Sequence, residues 1–170
     1  MIYAGTKGDK VLQSKKVETR QVKQENKTII DEDLKRRENT IIALLLDANV
    51  NIFQKIKESI KPEDFRDEIN QKIAIQLYQE LEKQDANINR LLDTFDEETQ
   101  NHITAVMATD YEIENAEKAV DDILQKYEKE RLDNRKQEIL KQLETEQDGE
   151  KKKQLGKELS NIIIALAKIK

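Results

Sequence analysis

The side chains able to do chemistry are few, and their spacing does not bring them together. His102 is the single histidine and cysteine is absent. Thiol catalysis, thiolate metal sites, disulfides and any His-based cluster or catalytic pair are therefore excluded. Alone, His102 reads as a surface or partly buried structural residue. Asp121-Asp122 and Asp31-Glu32-Asp33 offer carboxylates to a divalent cation, but adjacent acids on a helix point to different sides, so they read as solvated. No metal site and no cofactor are expected. Two basic runs remain, Lys35-Arg36-Arg37 and Lys151-Lys152-Lys153. The second opens the last helix, where positive charge opposes the helix dipole. It reads either as solvated charge beside Glu144, Glu146 and Glu150 or as a patch for an acidic partner, with an on-rate that falls as salt rises.

Glycine closes off nucleotide chemistry. Gly5, Gly8, Gly149 and Gly156 are the only glycines, and a phosphate-cradling loop needs glycine where backbone amides approach the ligand. Hydrophobic residues make up 36% of the 170 and charged residues 38%, which is apolar-poor for one compact globule. Much of the chain must then be solvent-facing helix or unstructured. No apolar run reaches membrane length, and no signal peptide is evident at Met1–Lys10, so a cytoplasmic location is expected. The net charge of −5 disfavours general nucleic-acid binding.

The elements that would position these residues are helices throughout. Residues 1–30 are polar and without period, as in a linker or flexible tether. Residues 31–127 read as a helical bundle centred on Ile41-Ile42-Ala43-Leu44-Leu45-Leu46, a run apolar on more than one side. Around it fall candidate caps at Asn49, Asn87 and Asp96, the single proline Pro62, and an i, i+4 ladder through Ile69, Ile73, Leu77 and Leu81 in the segment Asp67–Gln84. Phe53, Phe65, Tyr78 and Phe95 sit at core spacing. A longer helix is expected after Thr109-Asp110, carrying Ile113 to Tyr127. Between Glu128 and Glu138 only Leu132 is apolar, which predicts exposed helix or a hinge near Leu132–Asn134. Residues 128–170 then form the connecting helix and a C-terminal helical hairpin, turning at Gln147-Asp148-Gly149. Gly156 weakens the last helix by about 1 kcal/mol relative to alanine. That helix carries more large aliphatics than Ile139, Leu140 and Leu143 can cover. Leu155, Leu159, Ile162, Ile163, Leu166 and Ile169 are therefore the candidate partner surface.

The run LKRRENTIIALLLD at Leu34–Asp47, followed by Ile60-Lys61-Pro62-Glu63-Asp64-Phe65, resembles the opening of the helicase-binding domain of bacterial DNA primase. The N-terminal domain of the replicative helicase has a similar opening and a related fold. Primase carries a long helix into a C-terminal hairpin, the pattern of Ile113–Lys170, whereas a P-loop motor follows in the helicase. The resemblance implies a non-catalytic module whose bundle modulates the hexameric replicative helicase and whose hairpin docks on it. Met1–Thr28 would be the tether to an RNA-polymerase domain. Lys35, Arg36 and Arg37 would belong to a basic ridge receiving the acidic tail of single-strand-binding protein. The alternatives are a helicase N-terminal domain or a generic helical adaptor.

Overall fold

A computed structural model describes residues 32–169. The tether expected over 1–30, the acids at Asp31 and the final Lys170 lie outside the described residues. Within them the chain is all-α, as the patterning predicts.

Helix α1 spans 32–46. Its side chains Ile41, Ile42, Leu44 and Leu45 are almost wholly buried, and Ala43 and Leu46 are half-buried, so neighbours surround it. It stops at Ala48, whose φ of 54° lies in the left-handed region that an alanine enters at a cost. Asn49 then caps α2 (Val50–Ser59) by accepting the amides of Asn51 and Ile52, and Ile52, Phe53 and Ile56 face inward. Pro62 opens a 3-10 turn, Pro62–Asp64, where the Asp64 carboxylate accepts the Lys61 amide at 2.8 Å; Phe65 follows into the core. Asp67 caps α3 (Glu68–Leu81). Phe53 and Tyr78 meet edge to face at 5.4 Å, and the Tyr78 hydroxyl donates to the Ile60 carbonyl at 2.8 Å. Short α4 (Ile88–Leu92), capped by Asn87, and α5 (Glu97–Ala108), capped by Asp96, close the bundle with Leu91, Phe95, Ile103 and Val106. The Asp96 carboxylate also takes Lys72, and that contact, with the Thr99 hydroxyl and amide, holds it far below the usual carboxylate range.

The last two helices differ from the sequence expectation at their starts, and of the two alternatives for the stretch around Leu132, exposed helix or hinge, the structure shows helix. The long helix α6 (Ala116–Thr145) starts at the Asn115 cap, so Ile113 lies before it, half-buried against the bundle. It then runs unbroken through Leu132 and Asn134. Backbone hydrogen bonding tolerates a polar, poorly packed stretch as long as no glycine or proline interrupts it. Gly149 is the first residue of α7 (Gly149–Lys168) rather than part of the turn; Asp148 caps that helix through the amides of Glu150 and Lys151.

One buried carboxylate organises the polar interior. Glu38 is 1% exposed, and its oxygens accept the amides of Arg66 at 2.7 Å and Asp67 at 3.1 Å, groups just ahead of α3 that have no helical partner. Beside it, the Asn70 amide donates to Asn39 at 2.8 Å and its oxygen meets His102 Nε2 at 2.8 Å. Since the Asn70 nitrogen is committed to Asn39, its oxygen must accept, and His102 carries a proton on Nε2. His102 thus pins α5 to α3.

Glu38→Ala should lower unfolding stability by about 3 kcal/mol, because it strands buried amides. Ala48→Gly should raise it by about 1 kcal/mol by removing the left-handed strain. Urea titrations of both variants check these directions; a stability-neutral Glu38→Ala would refute the organising role of the carboxylate.

Candidate interaction surface

The candidate surface is carried by α7, and α7 is positioned only through α6. The N-terminal half of α6 belongs to the bundle: Val120 is buried there, and Ile123, Leu124 and Tyr127 pack on the core from its edge. Lys55 adds an exposed pair to Asp121 at 3.1 Å. At the point of departure the contacts become polar. Arg37 of α1 donates through Nη2 to Glu130 at 2.6 Å and places Nε 3.2 Å from Asp33, while its guanidinium lies 5.4 Å from the centre of the Tyr127 ring. Burial alone would lower the Arg37 pKa, but the hydrogen bond and charge of Glu130, helped by Asp33, leave it raised. Burial pushes the Tyr127 phenol well up, and the nearby Glu38 charge pushes the same way. One residue on, Arg131 Nη2 donates at 2.9 Å to the carbonyl of Ser59, the last residue of α2, capping a helix end that has few partners of its own.

A turn later the same device works in the other direction. Arg135 grips Glu158 of α7 through two parallel bonds, Nε to Oε1 at 2.7 Å and Nη2 to Oε2 at 3.1 Å, and also reaches Glu138 at 3.2 Å. Such a fork fixes geometry as well as attraction. Arg131 therefore ties α6 to the bundle, and Arg135, at i+4 on the same helix, ties it to α7.

The candidate residues on α7 divide into two sets. Ile162 is 6% exposed, and on the facing helix α6 Ile139 is 0% exposed. Leu155, Leu159, Leu166 and Ile169 are half-buried; with Ile162 they recur at alternating steps of four and three, the spacing of a seam between paired helices. These side chains lie along the hairpin seam, while the sequence expects only some of the candidate residues to be spent there. Ile169 also lines a crevice of about 300 Å³ with Leu124, Tyr127 and Arg131 of α6 and Ser59 at the end of α2. The aliphatics left outward are Ile163, 50% exposed, and its neighbour Ile164, 54% exposed. Leu140 on α6, expected to seal the hairpin, is 38% exposed. Ile164 was missing from the sequence-derived surface, although its departure from the four-three seam is the signal that marks it.

The basic residues also divide. Lys35 and Arg36 are exposed on α1. Arg37 is not available to a ridge: it is 7% exposed and spent on Glu130, Asp33 and Tyr127. Lys151, Lys152 and Lys153 are exposed on the first turns of α7, at the hairpin tip. From Glu130 to that tip is roughly 20 Å along α6, so the two runs form separate patches. No described helix is long and apolar enough to cross a membrane. Among the described residues no group of three His, Asp or Glu side chains is placed to hold a metal ion.

Comparison of the chain with family models, with characterised proteins and with solved structures finds no significant match.

The Arg135–Glu158 fork has a pH signature. Its hydrogen bond to Arg135 holds the Glu158 carboxyl below the ordinary value of 4.5. A carboxylate depressed in the folded state adds stability at pH above its unfolded value and loses it as pH falls through the folded one. Thermal melts in a pH series should therefore show a wild-type decline below about pH 4.5 that is shallower in Glu158→Gln. Superimposable pH profiles would show that the fork does not hold the hairpin.

Proposed function

We propose that this chain is the helicase-binding module of a bacterial DNA primase, docking on the replicative helicase through the outward face of α7. The observation that carries this reading is the exposed pair Ile163–Ile164, on a helix whose seam against α6 is already filled. The exposed large apolar residues of the bundle, Val50, Ile75 and Met107, stand singly on three different helices, whereas an adjacent pair left half in water on a helix otherwise well anchored fits a surface kept for another molecule. The order of elements supports the same reading: a bundle opening with the Leu34–Asp47 run, a 30-residue helix leaving it, and a 20-residue helix folding back.

Such a module acts by tethering. Holding a weakly active polymerase at the unwinding site raises its effective concentration on freshly exposed template. A rigid α6 would suit this, because it keeps the docking face at a set distance from the bundle.

Ile163→Asp should weaken binding to the cognate replicative helicase by at least about tenfold, with far-ultraviolet circular dichroism unchanged. Ile75→Asp on α3, whose side chain is 38% exposed, serves as the control and should bind as wild type. Titration calorimetry against the helicase hexamer decides: equal affinity for wild type and Ile163→Asp removes the docking role of α7.

A further inference from the structure

The charges around Ile163 and Ile164 describe what would cover them. On a helix, residues four or seven apart share a face. Lys153, Lys157, Ile164 and Lys168 follow one another at steps of four, seven and four, so they form one outward row, and all are exposed. None of these lysines lies in an ion pair among the described residues. The row is basic in a chain whose net charge is −5. Beside it, seven residues before Ile163, sits Gly156. Glycine destabilises a helix interior, and nothing among the described residues requires it, since a methyl added there meets none of their atoms within 4 Å and its φ is not positive.

Resting on the docking reading above, we propose that the partner surface is a helical, apolar patch rimmed by carboxylates, and that Gly156 lets its backbone approach α7 closely. The lysines would flank the buried isoleucines as a charged rim, setting the rate of association more than its strength. A second copy of the chain does not fit this face. Parallel or antiparallel, it would lay one lysine row against another, and like charges opposed across an interface disfavour that pairing.

The test uses the isolated N-terminal domain of the replicative helicase as probe, with stopped-flow association over a range of ionic strength. The wild-type rate should fall at least about tenfold from low to high salt, and Lys153→Glu with Lys157→Glu should remove most of that dependence. Gly156→Ala should melt a few degrees higher than wild type yet bind about tenfold more weakly. A salt-independent rate that ignores the lysine substitutions overturns the acidic-rimmed partner while leaving helicase docking intact. A Gly156→Ala variant that is stabilised and binds as wild type overturns the close approach. Absence of any wild-type binding overturns the docking reading and this inference together.

Discussion

A helix of 30 residues is about 45 Å long, and α6 has only Val120 and Ile139 fully buried to hold that length. The rest of the molecule depends on how this shortage is met. Between the two buried side chains the helix is gripped by arginines at its joint: Arg37 reaches in from α1, Arg131 reaches back to the end of α2, and Arg135 reaches across to α7. Exposed ion pairs alone would fix little, since solvent and salt weaken them. Arg37 differs because its side chain is only 8% exposed and sits against the Tyr127 ring, so its bond to Glu130 is shielded. Glu130 itself is half exposed, so the joint rests on the burial of the Arg37 side chain, whose charge needs an acidic neighbour there.

Two consecutive charged residues of α1 do opposite jobs. Arg37 turns toward α6 and Glu38 toward the start of α3, about 100° apart on the helix as the α geometry requires. Both are buried. Glu38 gathers backbone amides that a helix start leaves unpaired, and Asn70 links that corner to Asn39 and His102. An aliphatic core of Ile, Leu and Val packs in many near-equivalent ways. Polar groups with one satisfied arrangement select among them, so these contacts specify the bundle more than they stabilise it.

The last helix shows the same division of labour. Its seam, Leu155 through Ile169, is shared between the α6 contact and partial exposure, because two helices side by side cannot enclose each other's apolar stripes. Its outward residues have no internal assignment. That asymmetry, with the lysine row beside it, distinguishes α7 from α3 and α5, which each leave a single large apolar side chain exposed, Ile75 and Met107.

How much of this was legible in the sequence follows from the range of each interaction. The all-α class, the helix order, the caps at Asn49, Asn87 and Asp96 and the turn at Pro62 are readable in the chain itself, because a cap and the amides it serves lie within three residues. The aromatic core positions were legible for a similar reason, as periodicity marks the inward side of a helix. The roles of Arg37 and Glu38 were not. One side chain meets a residue 93 positions away and the other meets amides 28 and 29 positions away, so nothing in the local pattern marked them as turned inward. The faces of α7 fall between these cases: the sequence by itself determined that the helix has too many aliphatics for one partner, while the tertiary structure decided which of them α6 takes. Burial depends on the relative rotation of two helices, and that rotation is set by contacts the local pattern does not contain.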